Sequence, residues 1–243
     1  MQTKVFHSVN CGLYLLYDHA GLFIDGLHSG YKQGFSEMPG ELWRQFDRSA
    51  HYGDRLQGAL FTHHHPDHFC QKSLDTLLIR SPHIAIHSPQ ITRSVDHIVP
   101  CNSMIRMLRI GPFRIYAINT QHDGQQYRDV FHQSFVVNTD FESFFIAGDA
   151  CLSRKLLNAH ADVLPKKTDI VFINLYQACS AAAHDYIRAL NPNRICLYHL
   201  PFSKDDRYGF WKMAVQAIRR FPKDLPLLEL VHHMRWLCEA GDF

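Results

Sequence analysis

The chain has 243 residues, 46% of them hydrophobic and 20% charged, which is typical of a folded globular protein and excludes a disordered one. Its formal net charge of +2 is too small to predict a general affinity for nucleic acid or for an anionic membrane surface. No run of 18 apolar residues occurs, which argues against a membrane-spanning helix.

These features predict one domain covering residues 1–243, a small-molecule substrate, no membrane partner, and nucleic acid disfavoured as a partner. The start of the chain lacks the apolar stretch of a signal peptide, and the seven cysteines show no paired spacing. The expected location is therefore cytoplasmic. Nothing in the pattern indicates the oligomeric state.

Short segments rich in β-branched and aromatic residues predict strands along most of the chain. In chain order they are Leu13–Tyr17, Gly21–Asp25, Leu56–Thr62, Ile84–His87, Met104–Leu108, Phe113–Asn119, Ser134–Asn138, Ser143–Ala147, Ile170–Asn174, Arg194–Tyr198 and Leu227–Val231. The segment Asn138–Glu142 predicts a hairpin between two of them.

Helical patterns are predicted between the strands at about 67–80, 153–160, 180–190 and 206–220, and Pro66 is placed just inside the start of the first helix. Strands that first dominate and then alternate with helices favour sheet layers covered by helices. The segment 26–53 is longer than an ordinary connection and includes a predicted short helix at 41–46. It is either a lid or a surface excursion that only packs.

Histidine is the unusual component of the sequence, with 18 residues against 23 acidic ones. Four candidate metal ligands are concentrated in Thr62-His63-His64-His65-Pro66-Asp67-His68. Alternate side chains of a strand share a face, so His63 and His65 point together while His64 points away. Three imidazoles and a carboxylate within six residues exceed the usual ligand set of one tetrahedral ion, which favours two metals.

The His-x-His-x-Asp-His pattern resembles the metallo-β-lactamase superfamily. Further features occur in the order in which that family has them, each at the end of a predicted strand: Leu22-Phe23-Ile24-Asp25-Gly26, Ile118-Asn119-Thr120-Gln121-His122, Ile146-Ala147-Gly148-Asp149 and Ile195-Cys196-Leu197-Tyr198-His199. The resemblance implies an α/β (α+β) fold, the four-layer αβ/βα sandwich, over nearly the whole chain.

The resemblance also implies a ligand set for two divalent ions, with zinc expected and manganese or iron possible. It places His63, His65 and His122 on one ion, places Asp67, His68 and His199 on the other, and makes Asp149 the bridge. Asp25 would orient a ligand imidazole.

A pair of ions about 3.5–4 Å apart can share a hydroxide that attacks an electrophilic carbon or phosphorus. The expected activity is hydrolysis of a small ester-type substrate, with a phosphodiester or a lactone favoured and Asp67 and Asp149 as catalytic residues. A carboxylate at position 149 resembles the phosphodiesterase, thioesterase and lactonase branches more than the antibiotic-cleaving ones. His28, Lys204 and Arg207 are candidate substrate contacts, because they lie close in sequence to strand ends of the site.

Two alternatives remain open from the sequence. The first is oxidative chemistry of the mononuclear-iron persulfide dioxygenase type on the same fold. The second is a metal-binding module without catalytic activity. The metal content of each chain separates the first from a dinuclear hydrolase, and a substrate screen separates the second.

Overall fold

A computed structural model describes residues 2–29, 34–41, 56–102, 104–161 and 163–237. In chain order the strands are β1 (Lys4–His7), β2 (Leu13–Tyr17), β3 (Ala20–Ile24), β4 (Leu56–Leu60), β5 (Ala85–His87), β6 (Thr92–Arg93), β7 (His97–Pro100), β8 (Ile105–Ile110), β9 (Phe113–Gln121), β10 (Phe131–Asn138), β11 (Ser143–Ile146), β12 (Thr168–Ile173), β13 (Pro192–Leu197), β14 (Leu228–Leu230) and β15 (Arg235–Trp236). The helices are α1 (Gln71–Arg80), α2 (Arg154–His160), α3 (Leu175–Cys179), α4 (Ala181–Ala189) and α5 (Phe210–Arg220), with a 3₁₀ turn at Gln125–Tyr127.

The strands form two mixed sheets. The first has the order β15-β1-β2-β3-β4-β5-β6, and the second has the order β14-β13-β12-β11-β10-β9-β8-β7. Strands β3, β4 and β5 run parallel in the first sheet, and β11 to β14 run parallel in the second. Parallel neighbouring strands bring their carboxyl ends to the same end of a sheet. The candidate ligands lie in the loops that leave these ends.

Three apolar clusters hold the layers together. The central one packs the inner faces of the two sheets and includes Leu15, Leu22, Phe135 and Phe172. A second cluster lies between the second sheet and helices α3 to α5, and a third lies between the first sheet and helix α1. The expected sandwich of two sheets flanked by helices is therefore confirmed. None of the helices in the described ranges combines the length and apolar character that crossing a membrane requires.

Most predicted strands occur within one or two residues of their expected bounds, and the hairpin forms with a hydrogen bond from the Thr139 amide to the Glu142 carbonyl at 2.9 Å. The predicted start of the first helix at residue 67 is wrong, because α1 begins at Gln71 after Cys70. Pro66 and the residues that follow it form a turn instead. The predicted helix at 41–46 lies almost entirely outside the described residues.

Candidate metal centre

All seven candidate ligands lie in loops that leave the carboxyl ends of strands. Four come from the loop between β4 and α1. His122 follows β9, Asp149 follows β11, and His199 follows β13. The two sheets present these ends on one side of the sandwich, so residues far apart in the sequence meet there.

The first group of ligand atoms contains His63, His65, His122 and Asp149, and these atoms all lie within 4.8 Å of one another. Nε2 of His63 lies 2.9 Å from Nδ1 of His65. Oδ2 of Asp149 lies 3.6 Å from Nε2 of His122 and 3.9 Å from Nε2 of His63. The three rings and the carboxylate therefore face one small volume.

The second group adjoins the first. Nε2 of His68 lies 2.8 Å from Nε2 of His199, and Oδ2 of Asp67 lies 3.4 Å from the same His199 atom. Oδ2 of Asp149 lies 3.3 Å from Nε2 of His68, and Oδ1 lies 3.5 Å from Nε2 of His199. Asp149 thus contacts both groups, in the position of a bridge. The buried Cys11 thiol lies close to the ligand atoms of His68 and His199 and donates to the Asp67 carbonyl at 3.1 Å.

The orientation of the imidazole rings fits divalent metal ions. Nδ1 of His63 lies 3.1 Å from the Thr62 hydroxyl, and Nδ1 of His122 donates to the Asp123 carbonyl at 2.6 Å. Each ring therefore has its other nitrogen, Nε2, directed at the cluster. Nε2 of His122 is buried and has no hydrogen-bond partner. Buried polar atoms normally have partners, and a metal ion would supply the missing one here.

Asp25 holds the loop between β4 and α1 in place through hydrogen bonds to Thr62 and His68. Its Oδ1 accepts from the Thr62 amide at 2.8 Å, and its Oδ2 accepts from the Thr62 hydroxyl at 2.7 Å and from Nδ1 of His68 at 3.0 Å. The Asp25 backbone has a φ of +51°, and that of His199 has a φ of +63°. Non-glycine residues in this left-handed region are found mainly where the surrounding structure imposes the conformation, often at functional sites.

Two supporting residues were not identified from the sequence. The Asn174 side chain donates to Oδ1 of Asp149 at 2.8 Å while its own Oδ1 caps helix α3. Nε2 of the buried His132 accepts a hydrogen bond from the Asp149 backbone amide at 2.9 Å, and its Nδ1 lies 2.6 Å from the Thr120 hydroxyl. Asn174 ends a predicted strand, as the ligands do, and that signal was available. His132 lies within β10, where no such signal exists.

The titration behaviour of the cluster follows from burial and close charges. Burial lowers the pKa of His63 well below its usual value, with the charge of His68 as the next cause, so this ring is neutral near pH 7. Burial opposes ionisation of Asp149, but nearby His199 and His68 outweigh it and hold the pKa of this carboxyl well below its usual range. Neutral imidazoles and an ionised carboxylate are the forms that bind metal.

A cavity of about 530 Å³ opens over the cluster. His65, Asp67, His122, Asp149 and His199 all reach its floor. Its remaining lining includes five aromatic residues, Phe35, Tyr127, Tyr176, Tyr208 and Phe210. The cavity is large enough for a small organic substrate.

The three candidate substrate contacts do not line this cavity. His28 is buried with a pKa lowered to about 4, chiefly by that burial, and it lines a separate, smaller cavity with Cys70. Lys204 is exposed, with its Nζ 5.8 Å from the centre of the Phe202 ring. Arg207 is exposed as well. Their nearness to strand ends in the sequence therefore did not place them in the lining of this cavity.

No family profile and no curated protein matches this chain. Solved structures do match it along almost its whole length. YhfI from Bacillus subtilis, a metallo-β-lactamase fold protein, is 12% identical and aligns over 96% of this chain and 98% of its own, with a TM-score of 0.59. This chain has the metallo-β-lactamase fold.

Two further structures support the assignment. Igni18, a metallo hydrolase from Ignicoccus hospitalis, is 11% identical over 97% of both chains, with a TM-score of 0.60. A mutant of CmlA, the diiron β-hydroxylase of Streptomyces venezuelae, is 16% identical over 98% of this chain, with a TM-score of 0.68. The present chain spans about half of CmlA, 54% of its length. The solved structures with this fold thus include both a hydrolase and a hydroxylase.

Proposed function

We propose that this chain is a metal-dependent hydrolase that uses two divalent ions, zinc being favoured, to cleave a small ester-type substrate such as a lactone or a phosphodiester. The observation that carries the proposal is the position of Asp149, whose Oδ2 lies within 4 Å of Nε2 of His63, His68 and His122. A single carboxylate in contact with both ligand groups supports a dinuclear arrangement over two independent sites.

His63, His65 and His122 would hold one ion, Asp67, His68 and His199 the other, and Asp149 both. Such ions supply an activated water and polarise the substrate oxygen. The chain itself positions the reaction. Asp67 reaches the cavity with a carboxylate that can accept a proton from the attacking water. Asp25 and Asn174 hold His68 and Asp149 in place, so that the ligand atoms need little rearrangement during a turnover.

The proposal is tested by measuring the metal content and the activity of the purified, metal-loaded protein on a panel of phosphodiesters, lactones and thioesters. We expect two zinc or manganese ions per chain and hydrolysis of at least one substrate class. His65→Ala should lose one ion and most of the activity. His64→Ala is the matched control, because Nε2 of His64 bonds the Ser88 hydroxyl and its ring stacks on Phe69, away from the cluster. Two ions with no hydrolysis of any substrate would contradict the proposal.

Iron-dependent oxidation is a second candidate, and the likeness to the diiron β-hydroxylase CmlA favours it. The histidine and carboxylate ligands suit iron as well as zinc. Iron in the protein as purified from cells, with oxygen consumption that depends on the added substrate, would support this candidate over hydrolysis.

A further inference from the structure

The cavity over the metal centre has one continuous apolar wall on the side of His199. The ring of Phe35 meets the His199 imidazole edge-on at 4.7 Å and stacks on Phe210 at 5.6 Å. Tyr208 lies 5.7 Å from Phe210 and is 60% exposed. Met213 completes this surface, which we call the aromatic wall (Phe35, Tyr208, Phe210, Met213).

The opposite side of the cavity is also aromatic and carries two further phenol groups. The Tyr127 ring lies 5.0 Å from that of His65 and 4.8 Å from that of His122, so it stands beside the first ligand group. Tyr176 lies two residues after Asn174, lines the cavity and is 60% exposed. Two phenol groups provide neutral hydrogen-bond donors at the mouth.

The charged side chains in the described lining of the cavity are all acidic. Among the described residues that line it, the charged side chains are Asp67, Asp123 and Asp149, and neither lysine nor arginine is present. Asp67 and Asp149 belong to the ligand set, whereas Oδ1 of Asp123 accepts from the Gly124 amide and adds negative charge to the rim. Recognition of a phosphate group normally uses arginine or lysine, so this rim disfavours substrates with an anionic substituent outside the metal centre.

We propose that the substrate is a neutral carbonyl ester or lactone with an aryl or similarly flat apolar substituent, which packs against the aromatic wall while its carbonyl lies over the metal centre. The inference rests on the proposed hydrolytic function and narrows its substrate class. An aryl substituent packed on the aromatic wall would remove apolar surface of both partners from water. Its ring could also make stacked or edge-to-face contacts with the aromatic side chains, which stabilise the complex further. In the hydrolysis, water adds to the carbonyl carbon, the ester C–O bond breaks, and the leaving oxygen takes up a proton to give an acid and an alcohol.

One arm of the test is kinetic. The selectivity is the ratio of kcat/KM for α-phenyl-γ-butyrolactone to kcat/KM for unsubstituted γ-butyrolactone. We expect the wild-type protein to favour the phenyl substrate about tenfold or more, and Tyr208→Ala and Phe210→Ala each to lower this ratio several-fold. Phe141→Ala is the control, since Phe141 is an exposed aromatic residue on the distant β10–β11 hairpin. The selectivity ratio of this variant should equal that of the wild type. Faster cleavage of bis(4-nitrophenyl) phosphate than of 4-nitrophenyl phenylacetate would overturn the inference.

The other arm measures binding and does not need turnover. Phenylacetamide should bind the metal-loaded protein about tenfold more tightly than acetamide in a calorimetric or NMR titration, and Tyr208→Ala should remove most of this difference. Equal affinities would overturn the inference even if hydrolysis is observed. Preferential binding without hydrolysis of any substrate would support the aromatic wall while contradicting the proposed function, so the two failures are distinguishable.

Discussion

Nδ1 of His68 donates a hydrogen bond to Oδ2 of Asp25 over 3.0 Å, and both side chains are fully buried. This contact fixes which nitrogen of His68 faces the ligand cluster. Burial alone would lower the pKa of His68, but neighbouring Cys11 and the carboxylates of Asp149 and Asp25 together raise it well above its usual value. A metal ion at this group must therefore displace a proton from a ring that is already held in the binding orientation.

Replacing Asp25 with Asn should weaken metal binding at the second ligand group. The amide keeps one acceptor oxygen but turns an NH₂ group towards the donors of Thr62 or His68, so the His68 ring loses its fixed orientation. We expect the second ion to bind about 10–100-fold more weakly, measured by competition with a chromophoric chelator. The control is Asp75→Asn on the exposed face of α1, where Asp75 accepts a hydrogen bond from Gln71. Equal affinities in the two variants would show that Asp25 has no positioning role.

Asn174 connects a helix cap with a candidate ligand, and Asn174→Ser separates these two roles. Serine is a good N-cap residue, so α3 should stay intact and the far-ultraviolet circular dichroism should not change. The shorter side chain cannot keep the 2.8 Å contact with Oδ1 of Asp149. We expect about tenfold weaker metal retention during dialysis against a chelator. Asn193→Ser, at an exposed position where the amide contacts Asp169, should retain metal like the wild type.

Gly148 immediately precedes Asp149 and has no room for a side chain. Its φ is +58°, and a Cβ there would meet Thr62 Cγ2 and His132 Nε2 at 2.8 Å each. Gly148→Ala should therefore lower the free energy of unfolding by roughly 1–3 kcal/mol and displace the Asp149 carboxylate. Urea denaturation of the metal-free protein measures the first effect. Gly40→Ala, where a Cβ would meet no atom of the described residues within 4 Å, should change stability by less than about 0.5 kcal/mol.

Four candidate ligands could be predicted from the sequence because they lie together between His63 and His68, whereas His122, Asp149 and His199 were expected from the resemblance to the metallo-β-lactamase superfamily. His64 was correctly expected to point away from the cluster, although the strand itself ends earlier, at Leu60. The start of α1 was misplaced because Pro66 looked like a first helical residue, whereas the His68 and Phe69 amides bond the His65 carbonyl in a local turn.

Other features depend on contacts between distant segments and leave no local signal. Strands β1, β6, β7 and β15 were not predicted, since they are two to four residues long or contain histidine, arginine and proline. His132 supports the site through a hydrogen bond with the Asp149 amide, 17 residues away in the chain. Thr62 does so through a hydrogen bond with Asp25, 37 residues away. The aromatic wall brings Phe35 against Phe210, and no periodicity relates two such positions.

Acid should destabilise the protein through buried neutral histidines such as His87. This ring bonds Thr92 and Gln133, and burial lowers its pKa to about 4. Between pH 4 and the unfolded value of about 6.5, the unfolded chain binds the proton and the folded chain does not, so stability falls as the pH falls.

Each such group adds up to about 1.4 kcal/mol per pH unit to the slope of unfolding free energy against pH in this window. His87→Gln should reduce that slope in metal-free protein, measured by urea denaturation between pH 4.5 and 6.5. His83→Gln, at an exposed position, is the control. A slope unchanged by His87→Gln would show that the ring becomes protonated without unfolding.

The loop after β4 belongs to one sheet, whereas the loops after β9, β11 and β13 belong to the other. An ion shared by His68 and His199 would tie together positions 131 residues apart in the chain. Such an ion acts as a cross-link between the two sheets. It lowers the conformational entropy of any partly unfolded state in which the cross-link persists. Backbone amides at this end of the sandwich, such as those of Thr62 and His199, should then exchange with solvent more slowly when metal is bound, and the two halves of the molecule should open together instead of one at a time.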